Sequence, residues 1–411
     1  MRVGVGRAVS YSLLATAFFI GFFNRFAPAT FSQPIGQSFG LGAAEIGGLA
    51  AMHFWVYTLM QIPAGVIVDR LGIRRPAAAG TLLTGAGALV LGLAPSYPIA
   101  LAGPGLVGVG MSVVFVAMMT NNAIWFDGRQ FGLVTGITLL IAAMGSIAAE
   151  GPAQFVLQLT GWRSIFMALG VITIAIGILI ALFWRHPADM HNQGRAPAEA
   201  SDDAELARLG AWLEAIRQPK LWLVLLAISG TNGTFYAFAG LWGTRLLSDG
   251  FGLDSHMAAW IITASLVPYG LGSLCVGTLS DWFRTRKAFV LSASVLGSLA
   301  WAWLLFAPWT DTAGLVCFLA LGLSSAQVVV SFATVKESVS EHVVGVSLAM
   351  VNMGVFLTTA IIQMGYGWLI SFPGMNTASP ATFRAALWLP AFMSFAGLAA
   401  AAWVQETFPS H

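Results

Sequence analysis

Charge is what this 411-residue chain has least of: Asp, Glu, Lys and Arg together make up 9% of it. Soluble domains carry roughly a quarter of their residues as charged side chains, so a globule with a water-facing surface is excluded. Cysteine is nearly absent as well. Only Cys275 and Cys317 occur, each inside an apolar run, which excludes a disulfide framework and a thiolate metal site. His186 and His191 fall in a polar stretch without ligating companions, and no metal site is expected there. The chain has no basic groove interleaved with aromatics, so nucleic acid is not a partner. It also lacks His-Glu-x-x-His, Gly-x-Ser-x-Gly and any acid-rich phosphate or metal motif. That argues against an enzyme, and no cofactor is expected.

What is present is apolar. Hydrophobic residues make up 57% of the chain and the mean hydropathy is +0.80. A bilayer is crossed by about 20 consecutive apolar residues in a helix. Segments of that kind fall at 8–30, 45–68, 77–94, 98–121, 133–157, 164–184, 220–246, 257–279, 288–307, 313–335, 346–371 and 383–405. With the N-terminus inside, fifteen of the 19 Lys and Arg residues face the cytoplasm, leaving Arg25, Arg163, Arg245 and Arg384 outside. The positive-inside rule then puts both termini in the cytoplasm, as in a bacterial inner-membrane protein. The first span has no small-residue cleavage site and reads as a retained helix. The longest polar segment, 185–219, divides a first half, 1–184, from a second, 220–411. Within it Ser201 can cap a helix with Asp202, Asp203 and Glu205 in its first turn. Leu206, Leu209, Trp212, Leu213 and Ile216 then recur at helical spacing, which predicts an amphipathic helix on the cytoplasmic face.

One short pattern occurs twice. Gly65, Asp69, Arg70, Gly72, Arg74 and Arg75 join the second and third spans, and Gly277, Asp281, Arg284, Arg286 and Lys287 join the eighth and ninth. The glycines, the aspartates and the terminal cations share one offset in the sequence, so a single unit is used in each half. A glycine, an acid and a cationic cluster between two apolar helices resembles the signature loop of the major facilitator superfamily. Trp125, Phe126, Asp127, Arg129, Phe131, Gly132, Thr135 and Gly136 resemble that family's connection from helix 4 to helix 5. Gly161, Trp162 and Arg163 resemble the turn before helix 6, and Lys336, Glu337 and Gly345 the connection from helix 10 to helix 11. The resemblance covers the whole chain. It implies an all-α membrane protein of twelve transmembrane helices in two pseudo-symmetric six-helix halves, related by parallel repeats. It further implies that Asp69 gates the cytoplasmic side, with Arg129 and the helix beginning near Gly345 as its partners.

An ionisable side chain within the bilayer costs at least about 2.5 kcal/mol on insertion scales, and three stand out: Arg25, His53 and Glu150. At about 1.5 Å per residue, their distances from the cytoplasmic ends of their helices come to roughly 27, 24 and 27 Å. All three share one level, and a pair between Arg25 and Glu150 is expected, with His53 beside it as a titratable neighbour. His53, Tyr57, Gln61 and Gly65 recur at i, i+4 and give the second helix a polar face. The second half is milder: Asn232, Tyr236, Gln327, Asn352 and Gln363 offer neutral hydrogen-bonding groups.

Arg25 followed by Phe26 resembles the helix 1 arginine with which organic-phosphate exchangers of the superfamily hold an anion. A second arginine on helix 7 is missing around Tyr236, so a monocarboxylate or other small organic anion fits better than a phosphate ester. Pro104 stands where proton-coupled members carry a helix 4 arginine, and Gly151 and Pro152 are followed by Ala153, Gln154 and Phe155 where drug antiporters have paired glycines. The reading is a secondary transporter, expected to be a monomer, that moves a small solute by alternating access with proton coupling. A multidrug or metabolite efflux antiporter and a transporter-fold solute receptor are the alternatives.

Overall fold

The computed structural model describes residues 2–126, 128–185, 210, 212–340, 343–372 and 379–408, with only the backbone at 2–4, 29, 69, 128–133, 135 and 151. In hydrocarbon every backbone N–H and C=O must be satisfied within its own segment, which leaves the helix as the form for apolar runs of this length. The first half runs α1 (Arg2–Thr30), a short α2 (Ser32–Phe39), α3 (Ala43–Leu71), α4 (Arg74–Leu93), α5 (Tyr97–Trp125), α6 (Gly128–Ala149), α7 (Gly151–Thr160) and α8 (Trp162–Phe183). The second half begins with α9 (Pro219–Gly250), a continuous helix in which Ser229–Gly233, Phe238–Trp242 and Leu246–Gly250 are π-helical. It continues with α10 (Ser255–Trp282), α11 (Lys287–Phe306), α12 (Asp311–Ser325), α13 (Val328–Ser338), α14 (Val344–Ile370), α15 (Pro380–Ala386) and α16 (Trp388–Trp403). Among the described residues 11 helical stretches are long and apolar enough to span a membrane, and 12 if α6 and α7 form one bent span.

The fifth span departs from the unbroken helix that its composition predicts. It is interrupted at Glu150 (φ −88°, ψ −103°), where Pro152 in the first turn of α7 lacks an N–H for the preceding turn, and the axis bends by 41°. The tenth span is divided into two helices between Ser325 and Val328, where Ala326 and Gln327 keep right-handed helical backbone angles. Most of the expected linker helix lies outside the described residues, although Trp212–Ile216 is helical and Trp222 Nε1 donates to Ile216 O at 2.8 Å.

The chain divides into two compact units, Met1–Gly40 with Met52–Ser201, and Leu41–Ala51 with Asp202–His411. The first turns of α3 therefore group with the second unit. Within the first unit α4 packs against both α5 and α8, and small residues make that approach close. A Cβ on Gly110 would lie 2.3 Å from Gly80 O, and one on Gly80 would lie 2.8 Å from Gly110 O. With no hydrophobic drive between helices in lipid, such backbone approach is a main source of association. In the second unit α9 is the most buried of the spans.

The repeat is visible in the backbone itself. Gly72 has φ 71°, and Arg284, which stands at the equivalent place in the second copy, has φ 54°. Both loops make the same left-handed turn, one with the residue that adopts it freely and one without.

Candidate functional site

Arg25 is carried by α1 and is only 8% exposed. Its guanidinium carbon lies 5.2, 5.5 and 4.7 Å from the ring centroids of Phe22, Phe26 and Phe54, so three aromatic rings box the cation. His53 on α3 shares one of those rings. It meets Phe54 edge-on at 5.1 Å and stacks on Tyr57 at 5.8 Å, and it lies within reach of the charge on Arg25. Gly108 on α5 fixes the backbone here, since a Cβ at that position would fall 2.7 Å from His53 O. Among the described residues neither ring nitrogen of His53 has a hydrogen-bond partner, and Gln61 Nε2, two turns further along α3, has none either. Asn24 is a neighbour that the sequence reading missed. Its Nδ2 donates to Ile20 O at 3.0 Å while its Oδ1 accepts nothing.

Glu150 is buried at the break between α6 and α7. Its polar neighbour is Thr30 at the end of α1, and among the described residues it makes no salt bridge. The expected Arg25–Glu150 pair is thus not formed. The depth count assumed an unbroken fifth helix, but the break turns Glu150 toward Thr30, which lies five residues, about 7.5 Å, further along α1 than Arg25. The arginine is packed among rings instead.

In the second unit the polar groups are largely occupied by protein. Asn232 Nδ2 donates to Ser325 O at 2.9 Å, and Gln327 Nε2 donates to Thr231 Oγ1 at 2.7 Å. These amides tie α9 to the break between α12 and α13. The Tyr236 and Tyr269 hydroxyls meet at 2.6 Å, and Tyr236 stacks on Phe356 at 6.2 Å. Asn352 is half-buried on α14 and makes no hydrogen bond among the described residues. Gln363 is fully buried; its backbone carbonyl accepts from Trp242 Nε1 at 2.9 Å, while neither atom of its side-chain amide is bonded among the described residues.

The two signature loops make the same left-handed turn and are anchored differently. In the first, the side chains of Asp69 and Arg129 lie outside the described residues, so their expected gating contact does too. Gly65 is half-buried, and Arg70 and Arg75 are exposed. Arg74 Nε donates to Ala181 O at 2.8 Å, closing the C-terminus of α8. In the second, Gly277 packs on Val329, and Lys287 is half-buried. Arg286 is buried and forms ion pairs with Asp281 at 2.6 Å and Glu337 at 2.8 Å. Here it is Glu406, beyond α16, that caps the N-terminus of α11, accepting from the N–H groups of Arg286 and Lys287 at 2.8 and 3.3 Å. Three further polar residues that the sequence reading passed over tie the first unit together. Asn122 Nδ2 donates to Thr138 Oγ1 at 3.1 Å, and Trp184 Nε1 donates to Asn121 Oδ1 at 3.0 Å. Two adjacent amides closing an apolar run were the available signal.

Repeated membrane-spanning helices with Arg25, His53 and Glu150 buried within the spans are the architecture of a membrane transporter. The Major Facilitator Superfamily model matches residues 13–246 and 233–411, and the chain belongs to that superfamily of solute transporters. Its fold is similar to that of a bacterial homologue of the human lysosomal transporter Spinster in an inward-facing, unoccupied conformation. The TM-score is 0.75 over 98% of each chain, at 16% identity. In sequence it is 22% identical over 386 residues to a probable sulfoacetate transporter of Cupriavidus necator, covering 90% of this chain and 88% of that protein. It is 23% identical to a probable L-galactonate transporter of Escherichia coli, over 66% of this chain and 60% of the other. It is 26% identical to the oxalate:formate antiporter of Oxalobacter formigenes, over 63% and 54%.

Proposed function

We propose that this protein carries a small organic anion across a bacterial inner membrane by alternating access, coupled to protons, with both termini in the cytoplasm. The observation that carries the reading is Arg25, a guanidinium 8% exposed within an apolar span and boxed by three rings. Rings covering its faces direct acceptors to its edge, and the planar edge of a guanidinium matches a carboxylate or sulfonate in two parallel hydrogen bonds. The relatives support the same class, because sulfoacetate, L-galactonate, oxalate and formate are all organic anions. Glu150 is the proposed proton carrier. It is a buried carboxyl with one oxygen accepting no hydrogen bond, in a setting where ionisable groups serve relays.

The test is thermal stabilisation of purified protein by sulfoacetate, gluconate and oxalate, followed by uptake of the stabilising anion into proteoliposomes. At least one anion should raise the melting temperature, and Arg25→Gln should abolish both the shift and uptake. Equal stabilisation of the parent and the Arg25→Gln variant would remove Arg25 from the site and the anion reading with it.

A further inference from the structure

An anion alone does not satisfy the groups gathered around Arg25. His53 is 3% exposed, and among the described residues neither Nδ1 nor Nε2 meets a hydrogen-bonding atom. Its ring cannot easily turn away to find one. Phe54 meets it at 88°, Tyr57 lies nearly parallel at 23°, and α5 is pressed against its backbone at Gly108. A neutral imidazole presents one N–H donor and one bare nitrogen acceptor. Leaving either buried without a partner is unfavourable, because the group gives up its hydrogen bonds to water and gains none. Charging the ring would turn both nitrogens into donors, but it would set a second cation beside Arg25 within a membrane span.

Carboxylate, sulfonate and nitrate groups only accept hydrogen bonds. They match the guanidinium and the imidazole N–H, and they leave the bare nitrogen of His53 without a donor. Asn24 Oδ1, next to Arg25 in sequence and 3% exposed, lacks a donor in the same way. A hydroxyl is the smallest group that both donates and accepts. We propose that the substrate is a 2-hydroxy carboxylate, its carboxylate on the edge of Arg25 and its adjacent hydroxyl on His53. This rests on the reading of Arg25 as the anion ligand and narrows it. Unsubstituted acids and inorganic oxyanions become weak ligands, and hydroxylated acids strong ones.

The experiment uses matched probes that differ only in the 2-hydroxyl: lactate, as each enantiomer, against propionate, and D-gluconate against 2-deoxy-D-gluconate. Affinities are read by calorimetry or thermal shift on the purified full chain. In at least one pair the hydroxylated acid should bind about tenfold or more tightly than its deoxy partner, the effect of one well-made buried hydrogen bond. His53→Phe should bring the two members of that pair within about threefold of each other by weakening the hydroxylated one alone. His53→Gln, which keeps a donor and an acceptor, should retain part of the preference and serves if the phenylalanine variant does not fold. Equal binding within both pairs by the parent, with loss of both members in Arg25→Gln, would overturn the hydroxyl assignment while leaving the anion site standing. Binding of neither pair would overturn the hydroxyl assignment, and binding unaffected by Arg25→Gln would overturn both.

Discussion

Replacing Glu406 should loosen the end of the second unit that carries the α10–α11 loop, and the size of the effect can be worked from its contacts. Its carboxylate accepts from the Thr285 hydroxyl and from the backbone N–H groups of Arg286 and Lys287. Its Oε1 also takes the N–H groups of Thr407 and Phe408 at 3.0 Å each. One side chain thus caps α11 and fixes the fold of its own tail. Partial burial alone would raise its pKa, but the hydrogen bonds from Thr285, Arg286, Phe408 and Lys287 outweigh that and hold the carboxyl at about 2, against an ordinary 4.5. Taken at face value the difference corresponds to about 3 kcal/mol. Glu406 is exposed, however, and solvent screening cuts such a figure heavily. A cap of this kind is worth about 1 kcal/mol, and about 1–2 kcal/mol is the expected loss in Glu406→Ala. For a unit of this size that lowers a melting temperature by several degrees. The sign of the pH dependence follows from the lowered pKa. The contribution is complete above about 4.5, is lost as pH falls through about 2, and is already lost at every pH in Glu406→Gln. Detergent-solubilised parent and Glu406→Gln should therefore differ in melting temperature at pH 7 and converge toward pH 2. A difference that stays constant across that range, or a melting temperature unchanged at pH 7, would show that the carboxylate does not cap α11.

Arg284 holds φ 54°, where a side chain costs about 1 kcal/mol and glycine little. Arg284→Gly should raise the melting temperature by a few degrees or leave it unchanged, whereas Gly72→Val at the equivalent turn should lower it. Gly110→Val would drive a side chain into Gly80 O and should destabilise the first unit by more than about 2 kcal/mol, read as loss of monodisperse protein after solubilisation. Glu150→Gln should leave anion binding within about threefold but remove stimulation of uptake by an inward proton gradient. Stimulation that survives the change would mean that the proton takes another route.

The spans and the repeat were legible because bilayer thickness and the cost of charge in hydrocarbon write themselves directly into composition. Arg25 and His53 were legible for the same reason, since each interrupts an apolar run that has no local use for it. Glu150 was found but its partner was misassigned. Gly151 and Pro152 were visible in the sequence, yet the bend depends on how α7 is then received by the end of α1. The π-helical turns of α9 leave no periodic trace, because one extra residue per turn is a response to packing by neighbouring helices. Asn232 and Gln327 read as open polar groups because nothing in the chain says that Ser325 and Thr231 will meet them.

The four cations that the charge count assigns to the outer side show how such exceptions are accommodated. Arg163 Nη1 donates to Gly92 O and Ala94 O at 3.1 and 2.7 Å, closing the C-terminus of α4, and packs on Trp162 with 4.4 Å to the ring centroid. Arg384 repeats the device in the second unit, donating to Ala307 O at 3.2 Å at the end of α11 and lying 4.6 Å from the ring centroid of Trp309. A helix C-terminus carries partial negative charge and unpaired carbonyls, so a cation there is stabilised locally. Arg245 pairs with Asp249 one turn on, at 3.4 Å. These three arginines are thus explained by the helix ends or the acid beside them, and their roles are structural. Arg25 differs in that it lies within a span, where the rings of Phe22, Phe26 and Phe54 surround its guanidinium. Of the four, it is the one on which the proposed anion site is built.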